Sequence, residues 1–249
     1  GPSINMKVVL YNDCFIPGTQ HHFGCELVKE TFKAHFYRVD IDLIGSVTKE
    51  NVRLNEVDHD LLSKADLVVV NGEGSLHHNR RNDLIEIAAK YPAVLVNSVW
   101  ENNIVDGLEN FKYISVRESA SYDAMLADSG IRPELVPDII FSNIRLLGLT
   151  GQQDSGKQLK VGHIRHFSGI RTMQSADKFL RELKTCTSVT SESFHGIIAA
   201  KMAGIPIDRI LDSNTHKNTA LMRDITNTSS YIPWAVNTIN KMFENLHNL

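Results

Sequence analysis

The sequence predicts an α/β protein with two Rossmann-like lobes, each built on a parallel sheet, and three observations support this fold class. Short apolar runs, typical of strands buried on both faces, alternate with amphipathic helical patterns. Such alternation favours parallel sheets with right-handed crossovers and helices on both faces. A stretch rich in Gly, Gln and Ser, residues 146–158, separates two series of this kind and is interpreted as a linker.

The first series predicts an N-terminal lobe over residues 6–145. In its last helix we expect Ser119 as the N-cap and Gly130 just beyond the C-terminus. The predicted strands are Lys7–Asn12, Phe36–Ile41, Leu67–Asn71, Ala93–Asn97, Tyr113–Val116 and Glu134–Val136, and the predicted helices are Gly24–Ala34, Arg80–Lys90 and Ser119–Ser129.

The second series predicts a C-terminal lobe over residues 158–249. Its predicted strands are Leu159–His163, Ser188–Thr190 and Pro206–Ile210, and its predicted helices are Ser175–Lys184, Phe194–Ala203 and Pro233–Leu246. The first five residues, 1–5, are interpreted as a remnant of cloning, because Gly-Pro is typical of a protease scar and Met6 then becomes the expected start.

Composition indicates a soluble globular protein in a reducing compartment. The chain has 249 residues, 42% of them hydrophobic and 22% charged, and no apolar run approaches the ~20 residues of a membrane span. Cys14, Cys25 and Cys186 are odd in number and have no CxxC spacing, which argues against a disulfide framework. We therefore expect a cytoplasmic protein.

The formal net charge of −3 is unevenly distributed. From residue 143 onward, 13 basic residues face 8 acidic ones, giving +5, whereas residues 1–142 carry −8. This asymmetry predicts that the second half binds an anion, the alternative being a surface bias without function.

Three loops of the first half follow predicted strands and begin at or near Asn12, Asn71 and Asn97. In open parallel sheets, ligands bind beyond the carboxyl ends of the strands, so these loops are expected at a binding edge. An asparagine amide there can also tie neighbouring loops together through hydrogen bonds, which is a purely structural role.

The segment "NGEGSLHH" carries the first candidate for chemistry. Gly72 and Gly74 allow a tight turn and close approach to a ligand, and Glu73 lies between them. A carboxylate beside a cleft can act as general base on an attacking hydroxyl, so Glu73 and Asp13 are the candidate bases. The alternative is a pair of loop carboxylates that bond backbone amides.

A metal site is a weaker hypothesis. The doublets His21–His22 and His77–His78 offer imidazole ligands, and Asp40–Asp42 matches a DxD pattern. No HxH or HExxH spacing accompanies them, so we expect no metal site and assign His22 and His77 to hydrogen bonding with an acceptor.

The second half contains "TSESFHGIIAAKMAGIPI", where a short strand runs into a helix. Ser193, His195 and Gly196 lie at the helix start, whose free N–H groups suit phosphate or carboxylate. Glu192 suits a ribose diol, as acidic residues do in nucleotide sites. The alternative is a capped packing helix with an incidental histidine.

The loop "HIRHFSGIR" supplies Arg165 and Arg171. Because the guanidinium fork matches a diphosphate or carboxylate, both residues are predicted to bind the donor. A solvated surface role is the alternative for each.

Four motifs in order, "NGEGSLHH", "VRESASYDAMLADSGI", "VPDIIFS" and "SESFHGIIAAKMAGIPI", together resemble the polysaccharide pyruvyltransferase superfamily. The resemblance implies two Rossmann-like lobes in a compact GT-B-like arrangement with a cleft between them. It also implies transfer of pyruvate from phosphoenolpyruvate to a sugar as a ketal; related proteins are glycosyltransferases. The matching residues are Gly72, Glu73, Gly74, Ser75, Arg117, Glu118, Asp138, His195 and Gly196.

One departure from the family pattern shapes the functional hypothesis. The family often has an arginine where this chain has Ser193, and that arginine would suit phosphoenolpyruvate. The favoured reading is therefore a glycosyltransferase with a nucleotide-sugar donor, no tightly bound cofactor and no divalent metal. The predicted acceptor-binding residues are His22, Gly72, Gly74, Ser75, His77, Trp100 and Arg117.

Two other functions remain open: a pyruvyl ketal transferase using phosphoenolpyruvate, and a non-catalytic carbohydrate-binding protein. The expected acceptor is a saccharide, and the basic second half leaves a hydroxymethylated DNA base open as well. The sequence does not predict the oligomeric state.

Overall fold

The structure, a computed structural model, describes residues 5–18, 20–149, 160–211 and 215–249. The chain divides into two compact units, each assembled from separated segments. The first unit comprises Gly1–Cys14, Phe32–Asp138 and Thr238–Leu249, and the second comprises Phe15–Thr31 and Ile139–Asn237. The predicted lobes 6–145 and 158–249, in contrast, run continuously along the chain. Most of the predicted linker 146–158, and residues 1–4 of the predicted remnant, lie outside the described residues.

Within the described part of the first unit, six strands form one parallel sheet in the order β2-β1-β3-β4-β5-β6. Val68, Val69 and Val70 are wholly buried, as expected of a central parallel strand. The strands are β1 Met6–Asp13, β2 Ile41–Thr48, β3 Leu67–Glu73, β4 Ala93–Ser98, β5 Ile114–Val116 and β6 Glu134–Leu135.

The predicted strand Phe36–Ile41 is wrong except at Ile41, because helix α1, Phe23–Arg38, extends into it and a turn follows the helix. Phe32 and Phe36 lie one helical turn apart and both contact the ring of Phe243. That packing favours helix over the local strand propensity of the segment. The strand begins only at Ile41, after Asp40 has turned the chain with a φ of 58°.

The other helices of this unit differ in part from those predicted from local sequence patterns. Helix α2, Glu56–Ser63, was not predicted, although Asn55 and Asp58 form a complete capping box at its start. The predicted helix over residues 80–90 is shorter, with α3 at Asp83–Glu86 and a 3-10 turn at Ile87–Ala89. A second 3-10 turn covers Leu108–Asn110.

Helix α4, Ser119–Ser129, has the predicted bounds and ends at Gly130 in the left-handed conformation, with a φ of 74°. Its N-cap is Glu118 rather than the predicted Ser119, since the Glu118 carboxylate accepts the N–H of Ser121.

In the second unit, the described residues form a four-stranded parallel sheet in the order β10-β9-β7-β8. Strand β8 and helix α8 were not predicted, and the closing helix starts earlier than expected. The strands are β7 Lys160–Arg165, β8 Ile170–Arg171, β9 Cys186–Ser191 and β10 Ile207–Ile210. The helices are α5 Ile144–Leu147, α6 Ala176–Leu183, α7 Phe194–Ala203 and α8 Lys217–Asp224, with a 3-10 turn at Ile139–Ser142. Helix α9, Thr228–Asn245, begins in this unit and continues into the last segment of the first unit, where a 3-10 turn follows at Leu246–Asn248.

Two fold-level expectations can be compared with the structure directly. The two parallel sheets confirm the predicted α/β class with Rossmann-like lobes. The three cysteines are free and buried. Among the helices that the structure describes, none is long and apolar enough to cross a bilayer.

Candidate functional site

The first unit places its candidate residues at the switch point of its sheet. The chain leaves β1 toward β2 on one side, while β3 pairs with β1 on the other side. Ligands of open α/β sheets bind outside the carboxyl ends of the strands at such a point. Asn12 and Asp13 end β1, and Asn71 and Glu73 lie at the end of β3, so the predicted loops do meet at one edge.

Asparagine amides tie the strand ends together at this edge. Asn12 Nδ2 donates to the Asn71 carbonyl at 2.8 Å, and Asn97 Nδ2 donates to Asn71 Oδ1 at 3.4 Å. Asn71 Nδ2 in turn donates to Glu73 Oε1 at 3.0 Å. The structural role considered for these asparagines is therefore confirmed, and the chain of amides ends on the candidate base.

Arg81, which was not among the candidate residues predicted from the sequence, fixes the orientation of the Asn12 side-chain amide. Its Nη1 donates to Asn12 Oδ1 at 2.9 Å, so the Asn12 amide must present its NH₂ group to Asn71 and to Ser75 Oγ. Two further bonds of 2.9 Å hold the guanidinium on Asp83. Arg81 is thus a positioning residue for the strand ends.

Glu73 itself has an unusual backbone. It is 5% exposed and has a φ of 41°, a left-handed conformation that costs a residue with a side chain about 1–3 kcal/mol. Gly72 must be glycine, because a Cβ there would overlap the Ser98 side chain on β4. The strand therefore ends in a tight turn that carries a buried carboxylate.

The other acceptor-binding residues predicted in the first unit lie either near the sheet edge or in the interior. His77 lies near the edge, with its Nδ1 3.0 Å from His78 Nδ1. Trp100 is 0% exposed within the hydrophobic core, and Arg117 is buried in an ion pair with Asp138, Nη1 to Oδ2 being 2.8 Å. Trp100 and Arg117, predicted to bind the acceptor, thus occupy interior positions.

The second unit builds its own site at the carboxyl edge of its sheet. Strand β7 leads into His166 and strand β9 into Glu192, and the His166 N–H donates to Glu192 Oε1 at 2.7 Å. Asn218 Nδ2 on α8 donates to the Glu192 carbonyl at 3.1 Å. Glu192 thereby joins two strand ends and a helix.

Helix α7 begins at this edge as predicted. Ser193 is the N-cap, and its Oγ accepts the N–H of Gly196 at 3.1 Å. A Cβ at Gly196 would lie 2.8 Å from Ser191 Oγ and 2.9 Å from Ile164 Cγ2, so glycine allows the helix to start directly against the sheet.

Three histidine rings gather around this helix start. The ring centroid of His22 lies 5.7 Å from that of His195 and 5.9 Å from that of His166. The Gly24 N–H donates to His22 Nδ1 at 2.9 Å, so neutral His22 carries its proton on Nε2, which is 3.5 Å from Ser193 Oγ. His22, expected among the acceptor residues, therefore lies beside the predicted donor residue His195.

Gly24 is the residue of this cluster that sequence reasoning missed. A Cβ there would overlap the His195 ring and would lie 2.7 Å from the His195 Cβ, so rotation of the ring could not relieve the clash. The neighbouring Phe23 N–H donates to the Thr172 carbonyl at 2.8 Å and fixes this turn. The one sequence pattern that could have indicated this role of Gly24 is a glycine in the first turn of a helix.

The two predicted donor arginines are neighbours on the sheet itself. Arg165 on β7 pairs with Arg171 on β8, so both side chains point to the same face. Arg165 is exposed and Arg171 is half-buried. At the strand ends, His166 Nδ1 shares a hydrogen bond of 2.8 Å with Thr172 Oγ1.

This second-unit arrangement suits a small anion. Three imidazoles and a serine hydroxyl can all donate hydrogen bonds to carboxylate or phosphate oxygens. Neither unit, taken by itself, brings three histidine, cysteine or carboxylate ligand atoms within 4.8 Å of one another among the described residues.

Comparison with solved structures supports the fold. A functionally uncharacterised protein from Klebsiella pneumoniae is similar with a TM-score of 0.61 and 14% identity, covering 89% of this chain and 88% of that one. A carbohydrate transporter from Acidothermus cellulolyticus in complex with myo-inositol matches with a TM-score of 0.34 and 13% identity, over 97% and 88% of the two chains. The latter likeness is too low to carry an argument.

Comparison of sequences gives the family. No curated protein matches the chain. The sequence model of the polysaccharide pyruvyl transferase family, however, matches residues 22–207, a range that contains the glycine loop of Glu73 and the start of α7. This match over most of the chain shows that the protein belongs to the polysaccharide pyruvyl transferase family, a family of transferases.

Proposed function

We propose that the protein transfers the pyruvyl group of phosphoenolpyruvate to a saccharide as a cyclic ketal. The observation that carries this proposal is the cluster of His22, His166 and His195 around the start of α7. The cluster offers several donors within a small space, which suits a compact donor with a carboxylate and a phosphate. Family membership supports the same reaction over nucleotide-sugar chemistry.

The reaction defines what these residues must do. Protonation of the methylene carbon of phosphoenolpyruvate makes the neighbouring carbon electrophilic, and a first saccharide hydroxyl adds to it. A second hydroxyl then displaces the phosphate, so that two C–O bonds form and one C–O bond to phosphate breaks. One hydroxyl proton replaces the proton given to the new methyl group, and the other leaves with inorganic phosphate.

In the second unit we assign the donor to the α7 start. The Ser193 hydroxyl and the Nε2–H of His22 would hold donor oxygens, and His195 would supply the proton to the methylene carbon. Arg165 and Arg171, which the sequence assigned to the donor, point to the sheet face opposite α7 and are not used in this donor assignment.

In the first unit we assign the acceptor to the edge at the switch point. Glu73 remains the proposed base for an acceptor hydroxyl, with Asp13 as the alternative carboxylate, and Ser75 and His77 as proposed hydrogen-bonding groups. The amide chain from Asn71 keeps the Glu73 carboxylate in one orientation, as a base requires.

Nucleotide-sugar glycosyl transfer, the reading that sequence favoured, loses its specific support here. It relied on Glu192 as a ribose ligand and on Ser193 in place of an arginine. Glu192 Oε1 is accounted for by the His166 N–H. The three imidazoles offer hydrogen-bond donors at the position where the family pattern has an arginine.

A thermal-shift panel tests the donor directly. Phosphoenolpyruvate, UDP, GDP, CMP, dTDP and ADP are compared, since ligand at ~100 times its dissociation constant adds roughly 2.7 kcal/mol to stability. We expect a shift with phosphoenolpyruvate that His195→Asn removes. The control is His59→Asn, whose ring bonds Tyr91 in the first unit. A nucleotide shift without a phosphoenolpyruvate shift would contradict the proposal.

The acceptor assignment needs a separate variant. We expect Glu73→Gln to keep the phosphoenolpyruvate shift and to reduce acceptor-dependent phosphate release by about 100-fold or more, the usual contribution of a general base. Undiminished release would remove Glu73 as the base without affecting the donor assignment.

A further inference from the structure

Among the residues that the structure describes, the four-stranded sheet of the second unit is covered on one face and exposed on the other. Helix α7 packs on the covered face, where Gly196 meets Ile164, and Val189 is wholly buried there. On the opposite face His163 and Arg165 are exposed, and Val161 is 51% exposed. Because both faces of a parallel sheet are almost always covered, we expect a ligand to bind on this exposed face.

The register of the strands places basic side chains together on this exposed face. Thr190 on β9 pairs with Arg209 on β10 and with His163 on β7, so these three residues form a row across the sheet. A bond of 2.7 Å between His163 Nδ1 and Thr190 Oγ1 confirms that the paired side chains share a face. We call this surface the basic face, formed by His163, Arg165, Arg171, Thr190 and Arg209.

The charge of the basic face is not balanced within the chain. Arg165, Arg171 and Arg209 form no ion pair with any carboxylate among the residues that the structure describes. Asp208 lies beside Arg209 in a bulge of β10, and the Glu192 carboxylate accepts the His166 N–H. Unpaired guanidinium groups on a flat surface attract a ligand with several negative charges.

We propose that the basic face binds an acidic polysaccharide, with sugar carboxylates meeting Arg209, Arg165 and Arg171. With strands ~4.8 Å apart, Arg209 and His163 are separated by about 10 Å, so successive anionic groups of an extended chain can be contacted. The choice of a polysaccharide rests on the proposed function, whose ketal product itself carries a carboxylate. The unpaired arginines of the basic face favour a ligand with several negative charges whether or not the proposed function is correct.

The same surface lacks the features of a site for single-stranded nucleic acid. Such sites combine basic grooves with aromatic side chains on which bases stack. Strands β7 to β10 contain no Phe, Tyr or Trp, and the exposed Phe167 lies beyond the end of β7. Carboxylates spaced along a sugar chain need only the arginine forks.

Direct binding tests the proposal without donor or turnover. Fluorescently labelled oligogalacturonate, with one carboxylate per sugar, is titrated by fluorescence polarisation at two salt concentrations. We expect binding that weakens as salt rises and that Arg209→Glu reduces about tenfold or more. The control is Arg181→Glu, the same charge change on α6 of the same unit, which we expect to change the affinity less than twofold.

Each outcome decides for or against the proposal. Equal loss in the two variants would mean that only net charge matters, and undiminished binding by Arg209→Glu would exclude the basic face. Tighter binding of a single-stranded oligonucleotide of equal charge would make nucleic acid the occupant instead. Far-UV circular dichroism confirms that both variants are folded, and the phosphoenolpyruvate shift of Arg209→Glu reports separately on the proposed function.

Discussion

A buried histidine, His35, gives the first unit a pH-dependent stability. Its ring is 6% exposed and stacks on Phe243, with centroids 4.3 Å apart and planes inclined by 5°. Burial, followed by the charge of Arg38, lowers the pKa of His35 from 6.5 to about 4. The folded protein therefore accommodates the neutral ring, and protonation favours the unfolded chain.

The sign and size of the effect follow from this lowered pKa. The stability that depends on the neutral ring is fully present above pH 6.5 and is lost as the pH falls toward 4. At ~1.4 kcal/mol per pKa unit, the complete loss is about 3 kcal/mol of unfolding free energy. At pH 5 the unfolded His35 is protonated and the folded ring is mostly neutral, so about 2 kcal/mol is already lost.

The assay compares the wild type with His35→Phe, which keeps an aromatic ring on Phe243 but cannot titrate. Arg38 retains its bonds to Glu244 Oε1 and to the Asn240 carbonyl in this variant. Urea unfolding is followed by circular dichroism at pH 7 and pH 5. We expect the wild type to lose about 2 kcal/mol more than the variant between these pH values. Equal losses in the two proteins would refute the reasoning.

Two further substitutions probe one site each. Gly24→Ala should displace the His195 ring and weaken the phosphoenolpyruvate-induced thermal shift, at a cost in stability of about 1–3 kcal/mol for the overpacked methyl group; an unchanged shift would show that the ring position is unimportant. Asp138→Asn removes the counter-ion of buried Arg117 and should lower the unfolding free energy by about 3–5 kcal/mol; a loss below about 1 kcal/mol in urea unfolding would contradict this.

Sequence patterns correctly predicted those strands and helices whose local sequence carries one strong pattern. The valine run of β3 and the apolar stretch of α7 gave correct elements, and both α4 and α7 have their predicted bounds. Helix α2 was missed because most of its 8 residues are charged or polar and its capping box is the main sequence pattern that indicates a helix. The start of the second predicted strand was wrong because Phe36 is held in helix by Phe243, 207 residues away.

The residues of the candidate site likewise divide into those that a local sequence pattern indicates and those that only a long-range contact places. Glu73, Ser193 and His195 were found because a turn or a helix start marks them in the local sequence. The position of His22 beside His195 depends on a contact across 173 residues, and no local pattern reports which of two adjacent histidines turns toward it. Arg81 was missed for a similar reason, since its partner Asn12 is 69 residues away.

The strand ends supply the strongest argument that Glu73 is more than a structural residue. Asn12, Glu73 and Asn97 end neighbouring strands with φ values of 64°, 41° and 57°. Asparagine visits this left-handed region readily, whereas glutamate does so at a cost of about 1–3 kcal/mol. Asparagine or glycine at position 73 would relieve that strain, and the amides of Asn12 and Asn97 already tie the loops. A buried carboxylate held in a strained turn therefore supports the proposal that Glu73 acts as a base.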